Sequence, residues 1–181
     1  MRSCSVVGLL VALTIVMTPA MMVAARSPAR TSFELYDLSD KLFSLDKVRS
    51  EPGTSVVVVD FFSMACAPCK RAMPRLSELG RVYQAAGLKV VVVAVPAGGD
   101  RGAELERIRG FFEPISPSFP VVFDKYSVVA RQYGLISNGS ASLPRSFIID
   151  SSGGMVAEFE DMEGLAAAIE RRFGGDGAGG R

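Results

Sequence analysis

Residues 56–79 read VVVVDFFSMACAPCKRAMPRLSEL, and this stretch decides the fold. Four consecutive valines without polar alternation are typical of a β-strand that is buried on both faces, and residues 60–62 extend it. From Ala72 onward, apolar residues recur at spacings of three and four, which predicts an amphipathic helix. The strand and the helix therefore meet at residues 66–69, Cys-Ala-Pro-Cys.

The two cysteines occupy a position that favours thiol chemistry. Cys66 lies at the amino-terminal end of the predicted helix, where unpaired backbone N–H groups and the helix dipole stabilise a thiolate. Cys69 follows three residues later on the same helix face, so it can attack a mixed disulfide formed by Cys66. We therefore predict that Cys66 is the nucleophile and Cys69 the resolving thiol.

The redox potential of this pair should be moderate and reducing. Ala67 and Pro68 add no charge between the cysteines, and the chain contains no histidine that could hold a thiolate as an imidazolium would.

A zinc site and a structural disulfide are the alternatives to redox chemistry for the cysteine pair. A zinc site usually needs four nitrogen or sulfur ligands, which two thiols without a histidine do not supply. A structural disulfide between residues three apart closes a loop too small to stabilise the fold much. We expect no bound metal and no cofactor.

The pattern resembles the thioredoxin fold and, within it, the extracytoplasmic thiol-disulfide oxidoreductases of the TlpA/ResA type. The resemblance covers roughly residues 33–173. It is carried by the apolar strand with Asp60, by the C-x-P-C motif with Lys70 and Pro74, and by residues 143–150, LPRSFIID, where relatives have a cis-proline before a strand. It implies an α/β, three-layer fold with a central mixed sheet, helices on both faces, an amino-terminal hairpin and an extra helix-strand insertion.

The resemblance also implies roles for residues around the cysteines. Asp60 would be a buried acid that accepts a proton from Cys69; a solvated Asp at the strand end is the alternative. Pro144 would follow a cis bond and face Cys66, rather than sit in an ordinary trans turn. Leu143 would offer backbone groups to a peptide. The remaining candidate substrate-binding residues are Ala67, Pro68 and Arg145.

Arg145 allows two interpretations that the sequence leaves open. Its charge would favour the Cys66 thiolate if the two side chains lie close together. It would have no such effect as a solvated surface residue.

The amino-terminal residues predict export. Residues 1–25 combine one early arginine, an apolar core and a small-residue cleavage site, which is typical of a signal peptide. Residues 6–25 are also just long enough to span a bilayer as an uncleaved anchor. Residues 26–32 are a predicted linker, residues 33–173 the domain and residues 174–181 a disordered tail. The location is then extracytoplasmic, either periplasmic or secreted, with a possible membrane tether.

The cysteine count and the charge balance of the chain limit the classes of partner that we expect. Three cysteines become two if Cys4 leaves with the leader, so no structural disulfide framework remains. Without Arg2, 19 basic residues match 19 acidic ones, because the full chain has 20 and 19, and this balance does not indicate nucleic-acid binding. The expected partners are exported proteins with disulfides and a membrane thiol-disulfide electron donor.

We therefore predict a protein-disulfide oxidoreductase that reduces disulfides of exported proteins. The resemblance implies apocytochrome c maturation as the substrate class. One alternative is a copper-delivery module, which in related proteins uses C-x-x-x-C and a distant histidine. Another is a peroxidase, which would use a lone cysteine in a Thr/Pro-rich loop. The spacing of Cys66 and Cys69 matches neither alternative.

Overall fold

The computed structural model describes residues 31–174. The predictions for residues 1–25, for most of the linker 26–32 and for residues 175–181 of the tail concern residues outside that range. Among residues 31–174, no helix is both long enough and apolar enough to cross a membrane.

The secondary structure alternates between strands and helices along most of the chain. In chain order the elements are β1 (Glu34–Tyr36), β2 (Leu42–Ser44), α1 (Leu45–Arg49), β3 (Val56–Phe62), α2 (Ala67–Tyr83), β4 (Leu88–Ala94), α3 (Arg101–Phe112), β5 (Val121–Phe123), α4 (Val128–Gln132), β6 (Ile136–Ser137), β7 (Ser140–Ala141), β8 (Arg145–Asp150), β9 (Met155–Phe159) and α5 (Met162–Phe173).

Five strands form the central sheet, in the order β5-β4-β3-β8-β9. The β3–β4 and β4–β5 pairs are parallel, whereas β8 is antiparallel to both β3 and β9. The predicted mixed sheet is therefore confirmed, with the valine-rich strand β3 at its centre. All seven residues of β3 are buried, as the unbroken apolar run indicated.

Each face of the sheet has its own apolar core, and the side chains of β3 alternate between them. Val56, Val58 and Phe62 pack with α2, α3 and α5 on one face. Val57, Val59 and Phe61 pack on the other face with α1, α4 and the segment that contains the β1–β2 hairpin. The three-layer architecture with helices on both faces is thus confirmed.

The hairpin and the helix-strand insertion that the resemblance implied are both present. Strands β1 and β2 form the amino-terminal antiparallel hairpin. The insertion consists of α3 and β5, and β5 extends the sheet by pairing with β4. A backbone bridge between Asp37 and Val122 connects the hairpin to this edge.

Candidate active site

The cysteine pair lies where β3 gives way to α2. Cys66 is the N-cap residue of α2, and Cys69 lies in the helix's first turn. The two form a disulfide with their Cα atoms 5.3 Å apart. Cys66 is half-buried, whereas Cys69 is only 1% exposed. Solvent and a partner protein can therefore reach Cys66 more readily than Cys69.

The start of α2 is arranged to favour negative charge on Cys66. The backbone N–H of Cys69 donates a hydrogen bond to Sγ of Cys66 over 3.1 Å. The backbone N–H of Cys66 donates to the carbonyl oxygen of Ser63 over 2.9 Å, which closes the turn before the helix. Pro68 occupies the first turn, where a missing N–H leaves no helical hydrogen bond unmade. When the disulfide opens, these contacts favour the thiolate form of Cys66.

Asp60 is a buried carboxyl group on the β3 face that packs against α2 and α5. It is 3% exposed, and this burial raises its pKa to about 7. Oγ of Ser146 donates a hydrogen bond to Oδ1 of Asp60 over 2.6 Å, which opposes the rise in pKa by stabilising the charged form. The carboxyl group can therefore gain or lose a proton near neutral pH.

A cavity of about 730 Å³ is lined by both Asp60 and Cys69. It lies between α2 and α5, and its lining includes Asp60, Pro68, Cys69, Pro144 and Ser146. Four residues singled out from the sequence therefore share one cavity. Cys66 does not line it, which places the two sulfur atoms of the disulfide in different surroundings.

The peptide bond between Leu143 and Pro144 is cis, as the resemblance implied. Pro144 directly precedes β8 and borders the cavity. Leu143 is half-buried and packs against the apolar cores on both faces of the sheet. Ala67 and Pro68 are exposed beside the disulfide, where a peptide can reach them. Substrate binding by these residues stays a prediction.

The side chain of Arg145 is paired with carboxylates of β9 and the turn after it. Nη1 lies 2.5 Å from Oε1 of Glu158, and Nη2 lies 2.8 Å from Oε1 of Glu160. Two carboxylates thus offset the guanidinium charge locally, which weakens any field that it exerts at Cys66. Its effect on the thiolate stays a prediction.

Ser146 is the site residue that the sequence interpretation missed. The available signal was a polar residue directly before the apolar run of β8, because a hydroxyl group buried there needs a hydrogen-bond partner. Which partner it has depends on the pairing of β8 with β3, and residues 60 and 146 are 86 positions apart.

The charged groups of the site show no arrangement typical of a metal centre. Within residues 31–174, no group of three or more histidine, cysteine, aspartate or glutamate side chains is placed to hold a metal ion.

The chain is similar in sequence to known thiol-disulfide oxidoreductases. The thiol-disulfide oxidoreductase ResA of Geobacillus thermodenitrificans (strain NG80-2) is 31% identical over 121 residues, which are 67% of this chain and 61% of that protein. ResA of Bacillus cereus (strain ATCC 10987 / NRS 248) is 26% identical over 129 residues, 71% of this chain and 66% of that protein. The aligned regions thus span somewhat less than two thirds of these relatives.

Solved structures show the same fold. The thioredoxin domain of a thiol-disulfide oxidoreductase from Bacteroides vulgatus superimposes with a TM-score of 0.62 at 19% identity, covering 78% of this chain and 93% of that domain. The predicted thioredoxin-like fold is thereby confirmed. The model of the AhpC/TSA family matches residues 27–158, which include the cysteine pair, Asp60 and Pro144. The chain therefore belongs to the AhpC/TSA family.

Proposed function

We propose that the protein is a thiol-disulfide oxidoreductase that reduces disulfides in exported proteins through Cys66 and Cys69. The observation that carries this proposal is the asymmetry of the pair. Cys66 is the more accessible sulfur and accepts a backbone hydrogen bond at the start of α2, while Cys69 is buried beside the cavity that contains Asp60. Such an arrangement suits one attacking and one resolving thiol.

The first step uses the accessible cysteine. The Cys66 thiolate attacks one sulfur atom of a substrate disulfide; an S–S bond forms between Cys66 and the substrate while the substrate's own S–S bond breaks. The displaced substrate sulfur leaves as a thiolate and takes up a proton from water. The exposed Ala67 and Pro68 and the backbone of Leu143 would contact the peptide around the attacked sulfur.

The second step uses the buried cysteine. The carboxylate of Asp60 accepts the proton of the Cys69 thiol, and the resulting thiolate attacks Sγ of Cys66. The Cys66–Cys69 disulfide forms, and the second substrate sulfur leaves and is protonated, with Asp60 able to return the proton through the cavity. Starting from the Cys66 thiolate and the Cys69 thiol, the protein loses two electrons and one proton; the substrate gains two electrons and two protons, one of them from water. A pKa of Asp60 of about 7 suits a group that must take up and release a proton.

The protein needs an electron donor as well as a substrate, because each reaction leaves it oxidised. The oxidised protein must be reduced again by a dithiol donor, for which a membrane thiol-disulfide protein is the proposed class. The signal-peptide or anchor pattern of residues 1–25 supports an extracytoplasmic location. The ResA-like resemblance supports apocytochrome c as the substrate, whose haem-attachment motif is Cys-x-x-Cys-His.

The test follows single turnovers between the reduced protein and a peptide that carries an oxidised Cys-x-x-Cys-His motif. The Cys69→Ser variant should accumulate a mixed disulfide at Cys66, identified by peptide mass, because the resolving thiol is absent. The Cys66→Ser variant should lose exchange by about 100-fold or more, because Cys69 is buried.

A matched control is the Cys4→Ser variant, which leaves the proposed pair intact and should exchange at the wild-type rate. A mixed disulfide trapped at Cys69, or equal exchange by the Cys66→Ser variant, would reject the assigned roles. Rapid oxidation of Cys66 by hydrogen peroxide without peptide exchange would support the peroxidase alternative instead.

A further inference from the structure

Asp60 and Ser146 face each other across two central strands of the sheet. They are register partners in the antiparallel pairing of β3 with β8. Both are 3% exposed, and the Oγ–Oδ1 distance is 2.6 Å. On the opposite side of β3, the register partner of Asp60 is the apolar Val92 of β4. Ser146 is thus the side-chain hydrogen-bond donor that the neighbouring strands present to Asp60.

Packing alone does not explain a serine at this position. The three residues that follow it, Phe147, Ile148 and Ile149, are all buried and apolar. A buried hydroxyl group is stabilised only when it is hydrogen-bonded, and this one donates to Asp60 while both residues line the cavity beside Cys69. The hydroxyl group therefore acts on the orientation of the carboxyl group.

We infer that Ser146 is a positioning residue for disulfide exchange: its hydroxyl group fixes Oδ1 of Asp60 and leaves Oδ2 to exchange a proton with Cys69 across the cavity. This inference rests on the proposed function. A carboxyl group held at one oxygen keeps a single orientation, so that proton transfer needs no rotation of the side chain.

Electrostatics supports the same role. The hydroxyl group donates to the carboxylate and so stabilises its charged form, against the burial that raises the pKa of Asp60 to about 7. Removing the donor should raise the pKa further. The other charged groups lining the cavity come from α2 and from the end of β9 onward: Arg71, Arg75, Glu160, Asp161, Glu163 and Glu170.

These charged groups are the same in every variant of Ser146. Arg75 pairs with Glu78 and Glu170, and the side chain of Asp161 caps α5 by accepting from the N–H of Gly164. A difference in pH dependence between variants of Ser146 therefore reports on the contact with Asp60.

The experiment compares Ser146→Ala with Ser146→Thr, each alone and combined with Asp60→Asn. It measures the pH dependence of product release from the mixed disulfide in single turnovers. Ser146→Ala should move the midpoint upward by about one pH unit, lowering the rate at pH 7 by up to about tenfold and leaving the rate at pH 9.5 unchanged. Ser146→Thr keeps a hydroxyl group in a residue suited to strands and should preserve the wild-type profile.

In the Asp60→Asn background, Ser146→Ala should have no effect on the midpoint. A uniform rate loss without a shifted midpoint, or a shift that persists in that background, would show that Ser146 has only a structural role and would overturn the inference.

A ¹³C NMR titration of the Asp60 carboxyl group in the oxidised protein separates this inference from the proposed function. An upward shift of its pKa in Ser146→Ala, together with the altered exchange profile, supports the inference. Normal exchange with an unshifted Asp60 overturns the inference alone. No exchange by the wild-type protein overturns the proposed function and, with it, the role of Ser146 in exchange.

Discussion

At the scale of single residues, the site combines a thiol at a helix start with a carboxyl group in an apolar sheet. Asp60 lies in β3, all seven residues of which are buried. The hydrogen bond from the hydroxyl group of Ser146 offsets part of the rise in pKa that this burial causes. A charge in such a place destabilises the folded state. The pH dependence of stability should therefore report on Asp60.

The sign of this dependence follows from the two pKa values. Asp60 has a pKa of about 7 in the folded protein, against an ordinary value of 3.8. Between these values the unfolded chain has released the proton and the folded protein retains it, so raising the pH favours unfolding. The stabilising contribution is complete below about pH 4 and is lost as the pH rises through about 7, with a magnitude on the order of 4 kcal/mol.

We therefore predict that the oxidised Asp60→Asn variant is more stable than the wild type at pH 8.5, by up to about 4 kcal/mol. The amide resembles the protonated acid in shape but cannot ionise, so the difference should vanish near pH 4. Denaturant unfolding at several pH values measures the free energy of unfolding of both proteins. A difference that does not change with pH would contradict the assigned pKa.

Site residues that are close together in the sequence could be predicted from local patterns, whereas those that are far apart in the sequence could not. The cysteine pair and Asp60 lie within one strand-turn-helix segment, so they were expected close together in the chain, and the resemblance implied that Asp60 acts on Cys69. The resemblance to relatives predicted the cis bond before Pro144. Ser146 was missed because its contact depends on the register of β8 against β3, which no local pattern of residues records.

At the scale of elements, α2 is connected to β4 by a turn that only glycine fits. Gly87 has a φ of +95° and follows the 3₁₀ turn Gln84–Ala86. A Cβ atom there would press against the carbonyl oxygen of Gly53 and lie 2.9 Å from the backbone nitrogen of Ser55. Ser55 also donates its N–H to the carbonyl oxygen of Gly87 over 2.8 Å, directly before β3 begins.

We predict that Gly87→Ala lowers the free energy of unfolding by about 2 kcal/mol or more, because both the positive φ and the backbone contact oppose a side chain. Gly110→Ala is the matched control. It lies within α3 with no atom within 4 Å of an added Cβ, so it should be neutral or stabilise by up to about 1 kcal/mol. Equal destabilisation by the two substitutions would contradict the steric account.

Long elements show a clear apolar period in the sequence, whereas some short ones do not. In α5, the buried Leu165, Ala166 and Ile169 follow a helical spacing. Residues 136–143 show no such period, yet they contain the two-residue strands β6 and β7. The five-residue helix α1 was not predicted from the sequence. Segments this short span too few residues to show a helical or strand period, so tertiary contacts decide their structure.

Within α3, the buried residues are not all apolar. Ile108 and Phe112 are buried, but the apolar Leu105 is only half-buried, while its neighbour Glu104 is 1% exposed. The carboxylate of Glu104 pairs with Arg107 and lies 3.4 Å from the backbone nitrogen of Ala97. These contacts stabilise the buried carboxylate of Glu104. They involve residues outside the apolar pattern of α3, so that pattern does not show that Glu104 is buried in place of Leu105.

At the scale of the whole molecule, the site lies at the end of the sheet where the parallel strands have their carboxyl ends. The parallel strands β3, β4 and β5 bring their carboxyl ends to the same side, and the antiparallel β8 begins there, directly after Pro144. The thiols on α2, the cis bond and Asp60 are thus brought together by three different elements. This placement supports the proposed disulfide exchange, because it leaves Cys66 accessible beside the buried Cys69.

The most direct test of this account is an equilibrium redox titration of the full chain carrying Cys4→Ser, so that only Cys66 and Cys69 respond. The protein is equilibrated with glutathione or dithiothreitol buffers, and alkylation followed by mass measurement gives the fraction in the disulfide form. We predict a single two-electron transition below about −230 mV, the range of a reductant. A potential above about −180 mV, or no disulfide at any buffer composition, would contradict the central claim.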